Sequence, residues 1–211
     1  MIGDIDGRCM SGACRPLTCF TDTFAGDALD PTRYEQLGSY GATVSVHGGL
    51  ASVQFLPDVS SAEGGFYLSD SIDLEDGFVS TEIFASDDPS TTAWFVISGN
   101  PFVSVRVSVN GGVLEVSDIT FVGGGEQLGQ AIYEPVADRF IRYRDDATAQ
   151  TISVETSPDN GTWSEVTTFE ATRSVRPVRV MLFGTRGTAD ASAPEISFGQ
   201  LSLGNRNCSV Q

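Results

Sequence analysis

The chain has 211 residues, with 28 acids against 12 bases, a formal charge of −16 and a hydrophobic share of 40%. That balance excludes a protein drawn to nucleic acid by charge, since a polyanion would be repelled, and no apolar run approaches the ~20 residues of a membrane span. Length and composition fit one large all-β domain, and every base in the chain is an arginine.

Residues 1–18 read as a cysteine-containing N-terminal segment, and 19–211 as a β-sandwich domain. The stretch GDIDGRCMSGACRPLTC resembles the tail of a cysteine-rich repeat. Met1–Gly7 has neither a basic start nor an apolar stretch, so a piece of a longer product is expected. Asp27–Arg33 allows one helical turn begun by Pro31. Thereafter one pattern recurs, a β-branched or aromatic run closed by Gly, Asn, Asp or Pro. Strands are predicted at Thr43–His47, Leu50–Phe55, Gly65–Leu68, Phe78–Ala85, Thr92–Ser98, Phe102–Asn110, Val113–Val122, Gln130–Glu134, Arg139–Asp145, Thr151–Ser157, Arg176–Gly184 and Glu195–Leu203.

In FVSVRVSVN the valines at 103, 105, 107 and 109 share one face, while Ser104, Arg106 and Ser108 share the other. One face is core and one is wet. Gly199 interrupts the last strand, so Ile196 and Phe198 can face the same core as Leu201 and Leu203 only across a bulge. Gly123–Gly125 reads as a flexible loop without the lysine and helix of a phosphate loop.

The hairpin QTISVETSPDNGTWSEVTTF carries the most local information. Ile152 and Val154 alternate with Thr151, Ser153 and Glu155, and Asp-Asn-Gly supplies a tight reversal. Ser157, Asp159, Gly161 and Trp163 come close to the Asp-box hairpin of β-propellers, occurring once. The expected role is local, with Asp159 bonding turn amides and Trp163 capping the hairpin base. Together with CFTDTFAGDALDPTRY, Cys19–Tyr34, this hairpin resembles the concanavalin A-like (laminin G-like) jelly-roll domains of secreted modular bacterial proteins, over roughly residues 19 to 204. The resemblance implies a two-sheet antiparallel jelly-roll sandwich.

Cys9, Cys14, Cys19 and Cys208 allow three pairings. Close spacing suits Cys9 with Cys14, leaving Cys19 for Cys208, which a jelly roll with neighbouring first and last strands accommodates. Such a bridge would contribute roughly 5 kcal/mol before native strain. No Cys-x-x-Cys pair is present and the only histidine, His47, is distant and turn-like, which argues against zinc. Paired cysteines imply an oxidising compartment, hence a secreted, extracellular protein. The resemblance also implies a structural Ca²⁺ near the joined termini, with Asp22, Asp27 and Asp30 in the matching segment as candidate ligands.

Sugar binding needs an aromatic surface with planar donors beside it. Tyr143 with Arg142 and Arg144 is the surface candidate, whereas Trp94, in the continuous apolar run WFVI, reads as core. Alternation sets Tyr143 on the face of Ile141 and both arginines on the face of Phe140, so one ligand meets all three only across a bulge. Glycosidases on this scaffold use Glu-x-Asp-x-x-Glu along a strand, and that pattern is missing. The adjacent acids Glu75–Asp76, Asp87–Asp88 and Asp145–Asp146 read as solvated turns. The expectation is therefore no enzyme but a non-catalytic extracellular carbohydrate-binding or adhesive module whose partner is a glycan. One alternative is an assembly subunit partnered by other extracellular subunits. The other is a laminarinase-type glycoside hydrolase.

Overall fold

The computed structural model describes residues 19–72, 74–100, 103–119, 125–170, 178–189 and 191–205. The described residues form fifteen strands and no helix. In chain order they are β1 (Cys19–Asp22), β2 (Tyr34–Tyr40), β3 (Ala42–His47), β4 (Leu50–Phe55), β5 (Ala62–Leu68), β6 (Gly77–Phe84), β7 (Thr91–Asn100) and β8 (Val103–Asn110). They continue as β9 (Val113–Ile119), β10 (Glu126–Ile132), β11 (Phe140–Asp146), β12 (Thr151–Ser157), β13 (Ser164–Glu170), β14 (Arg179–Arg186) and β15 (Glu195–Asn205).

These strands form two antiparallel sheets. The seven-stranded sheet runs β10-β9-β8-β7-β14-β5-β2. The eight-stranded sheet runs β13-β12-β11-β6-β15-β4-β3, with β1 also paired to β15. Alternation decides what each strand contributes. On β8 Val105, Val107 and Val109 are buried, and on β7 Ala93, Phe95 and Ile97 match them. From the other sheet Val79, Ile83, Ile141, Tyr143, Ile152, Val154, Phe198 and Leu201 face the same core. At one side the layers touch directly, where the Thr167 hydroxyl of β13 donates to the Leu128 carbonyl of β10 at 2.9 Å. Just after β1, Phe24 packs with Tyr34 and Phe66, ring centroids 5.5–5.8 Å apart, and Phe66 meets Phe198 at 6.0 Å.

The bulge expected at Gly199 is present, with the β15–β6 register shifting between Phe198 and Leu201. Gly199 leaves room there for a side chain of the neighbouring strand. A Cβ on Gly199 would fall against the Glu82 carboxylate, whose Cδ would lie 2.8 Å away. The Ser157–Thr162 turn is held as expected, with Asp159 Oδ1 accepting the amides of Gly161 and Thr162 at 2.8 Å each. These bonds hold the Asp159 carboxyl below the usual carboxylate range. His47 ends β3 before Gly48 and Gly49, both at positive φ. Asp30 O accepts from the amides of Arg33 at 3.0 Å and Tyr34 at 2.9 Å, giving the single helical turn.

Strand boundaries moved where polarity hides the pattern. β2, with sequence YEQLGSY, has no apolar alternation because it is a largely exposed edge strand. The same holds at β10, which begins at Glu126 rather than Gln130. β1 lies antiparallel to β15 with Cys19 opposite Gly204, so the first and last strands are neighbours. The pairings Cys9–Cys14 and Cys19–Cys208, and the segment 1–18, lie outside the described residues. Among those residues no helix is long and apolar enough to cross a membrane.

Candidate functional site

The outward positions of the seven-stranded sheet carry a continuous strip of planar side chains. Pairing places Ser108, Trp94, Phe183 and Gly65 in one row across β8, β7, β14 and β5. The next row holds Arg106, Val96, Met181 and Tyr67. Within the strip the Trp94 and Phe183 rings stack at 5.8 Å and 15°. The Arg106 guanidinium lies 4.6 Å from the Trp94 ring, and its Nε donates to Ser117 Oγ at 2.8 Å. Trp94 Nε1 donates to Thr185 Oγ1 at 2.8 Å. Each partner therefore fixes the next, and Trp94, Phe183, Arg106, Met181 and Tyr67 are half-buried rather than sealed, while Val96, Ser108 and Gly65 between and beside them are buried. Gly65 makes room for it, since a Cβ there would collide with Cβ of Phe183.

Toward β5 the Arg179 guanidinium lies 5.6 Å from the Tyr67 ring, and the Tyr67 hydroxyl donates to Glu35. That bond, ahead of desolvation, raises the Tyr67 pKa. The three central strands read TTAWFVISGN, VSVRVSVN and RVMLFGTR, without one acid. Carboxylates on this face stand at its flanks, namely Glu115 on β9, Glu63 on β5 and Glu35 on β2.

Trp94 therefore belongs to the outer face, correcting its reading as core. The run WFVI is apolar at both parities, which hides the face. The usable signal was on the adjacent strand, where Arg106 shares the outward parity of Ser104 and Ser108.

The predicted ligand group Tyr143, Arg142 and Arg144 is not brought together. Tyr143 is 0% exposed and its hydroxyl donates across the core to the carbonyls of Phe95 at 2.8 Å and Val105 at 3.1 Å. A ring so placed cannot stack on a sugar. Arg142 and Arg144 point outward from the eight-stranded sheet, where Glu155 takes Arg142 at 2.5 Å and Arg144 at 3.7 Å. Arg142 also lies 4.0 Å over Trp163, so the Trp of the hairpin covers an ion pair. No bulge interrupts β11 to bring ring and guanidinium to one side.

The candidate Ca²⁺ ligands are dispersed as well. Asp22 accepts the Phe24 amide at 2.8 Å and the Tyr34 hydroxyl at 3.0 Å. Asp30 caps Thr32 and lies 3.4 Å from Arg33, while Asp27 is exposed. Among the described residues no three His, Cys, Asp or Glu side chains gather into a metal-binding group. The adjacent acids serve turns: Asp76 donates its amide to Asp145 at 2.9 Å and accepts that of Ala147 at 3.1 Å, and Asp88 accepts the Ser90 amide at 2.8 Å.

With this geometry in view, the sandwich is similar to solved glycoside hydrolases. The laminarinase from Flavobacterium sp. UMI-01 aligns with a TM-score of 0.67 at 10% identity, covering 88% of this chain and 99% of that one. The laminarinase from Rhodothermus marinus aligns with a TM-score of 0.65 at 12% identity, covering 88% and 96%. A structure from work on endo-acting O-glycanases of the human gut microbiota that initiate mucin breakdown gives 0.69 at 10% identity, covering 89% and 99%. No protein-family model and no curated protein sequence matches the chain. The fold is thus the concanavalin A-like jelly roll. The expectation of a non-catalytic binding or adhesive module is overturned, because the similar structures include a non-specific endo-β-1,3(4)-glucanase and an endo-1,3-β-glucanase (laminarinase) from Thermotoga petrophila RKU-1.

Proposed function

We propose that the protein is a secreted glycoside hydrolase of the laminarinase type that takes its polysaccharide across the outer face of the seven-stranded sheet. The observation that carries the location is the strip Arg106–Trp94–Phe183, with Met181 and Tyr67 beside it. A sugar chain buries its C–H faces against such apolar groups, while fixed guanidinium and hydroxyl donors meet its oxygens. The eight-stranded sheet offers less, because Arg139 and Arg142 are engaged by Glu82 and Glu155.

For bond cleavage a proton must reach the leaving oxygen. Glu115 is the acid assigned to this step: as the glycosidic C–O bond breaks, its proton goes to the leaving oxygen, a water molecule bonds the anomeric carbon, and that water's proton returns to the Glu115 carboxylate. It stands opposite Ser108, which stands opposite Trp94, about 10 Å from the strip's centre by two strand spacings. Glu63, four strand spacings across and two residues along from Glu115, is about 20 Å from it, beyond the roughly 5–9.5 Å between paired glycosidase carboxylates. Incubation with laminarin, mixed-linkage β-glucan and mucin, followed by analysis of released oligosaccharides, tests the reading. Release that Glu115→Gln suppresses while retention persists is the expected result. Retention of polysaccharide without any release overturns hydrolysis.

A further inference from the structure

We infer that the polysaccharide held on this face is acidic, bearing sulfate or carboxylate groups recognised by Arg106 and Arg179. The inference rests on the proposed glycan-bearing face and names its substrate class. Its basis is the distribution of charge. The chain carries −16 overall, yet the three central strands hold no acid and present two arginines outward on this face. In a chain this acidic, a neutral ligand gives no reason to clear carboxylates from the three central strands of one face, leaving them only at its flanks, and to keep arginines there. An anionic ligand does, because every carboxylate under it would repel it in a partly dehydrated contact.

The arginines are also held for the task. Arg106 is fixed by the Trp94 ring and by Ser117, with only Nε engaged in that bond, so the guanidinium fork stays available at a set angle. A planar fork fits the paired oxygens of carboxylate or sulfate better than it fits a single hydroxyl. Arg179 lies two strands over and two residues along, since Arg106 opposes Val96, Val96 opposes Met181, and Arg179 precedes Met181 by two. The two backbone positions are therefore about 12 Å apart, with Val96 and Met181 near the line between them and the Trp94–Phe183 pair on the other side of that row from Arg179. That arrangement suits acidic groups on separate residues of one chain, with apolar sugar faces in between. By contrast, the arginines on the opposite sheet each have a carboxylate, Glu82 or Glu155, within ion-pairing distance.

The test is affinity electrophoresis of the whole chain in gels containing laminarin, sulfated laminarin or polygalacturonate, at low and high NaCl. Retardation by sulfated laminarin, by polygalacturonate or by both, at least tenfold stronger than by neutral laminarin and weakened by salt, is expected. The two acidic probes separate sulfate from carboxylate. Arg179→Gln, at an exposed position, and Arg106→Gln, checked for an unchanged melting curve, should each reduce the retardation, while Arg144→Gln on the other sheet should not. Equal retardation by neutral and acidic laminarin overturns the inference and leaves the glycan face standing. Retardation by acidic polymers that survives both substitutions also overturns it. Retardation by none of the three overturns the inference and the glycan reading together.

Discussion

The Tyr143 hydroxyl on β11 spans the core to the Phe95 carbonyl on β7 at 2.8 Å, so one side chain ties the two sheets together. Its ring meets that of Phe95 edge-on at 4.8 Å. Removing the hydroxyl alone, Tyr143→Phe, leaves the ring packing and the strand ladder and should cost about 1 kcal/mol. Tyr143→Ala should cost about 3–5 kcal/mol through the cavity it leaves. Denaturant unfolding of the two variants checks both values. A Tyr143→Ala protein as stable as the parent would contradict the buried placement.

Alkaline pH probes the same burial. Desolvation raises the pKa values of Tyr34, Tyr133 and Tyr143, with Asp22 adding to the effect at Tyr34. Below about pH 10 these phenols are neutral both folded and unfolded, and the stability is complete. Above it the unfolded chain loses protons that the folded chain keeps, so stability falls as pH rises. Melting temperatures measured from pH 8 to 11.5 should decline from near pH 10, and phenolate absorbance should rise in step with unfolding. Full ionisation of all five tyrosines in a still-folded protein would contradict this.

Gly199 tests the bulge of β15. Any side chain there meets the Glu82 carboxylate, which Arg139 holds from the other side. Gly199→Ala should destabilise by about 1–3 kcal/mol, the range for forcing atoms into a packed site. Pairing it with Glu82→Ala should recover part of that loss, since the clash and the buried carboxylate leave together. Additive losses in the double variant would show that the two residues are not in contact.

Alternation made much of this sandwich readable. Leu50–Phe55 and Thr151–Ser157 are strands at their expected limits because every second residue is apolar and a Gly or Asp turn closes each. Gly199 announced its bulge because the apolar parity changes there. The candidate site was far less legible. Sharing a face is a local property, but which face meets the core depends on the second sheet. Tyr143 shared its face with Ile141, a sign of burial, yet aromatic character and neighbouring arginines favoured the surface reading. Trp94 shows the reverse, a large ring amid apolar residues whose exposure follows from β8 and β14 beside it. Carboxylates missing from β7, β8 and β14 could be seen in sequence, but their meaning depended on those strands being adjacent.

The chain's two tryptophans stand over opposite sheets, Trp94 on the proposed glycan face and Trp163 over Arg142 on the other. Trp163→Phe leaves Trp94 as the only indole reporter, and Trp94→Phe leaves Trp163. Fluorescence titration of each with laminarin, sulfated laminarin and polygalacturonate tests the central claim most directly. The account predicts a saturable change in the Trp163→Phe protein and none in the Trp94→Phe protein. A saturable change confined to the Trp94→Phe protein would place the polysaccharide on the eight-stranded sheet and contradict it.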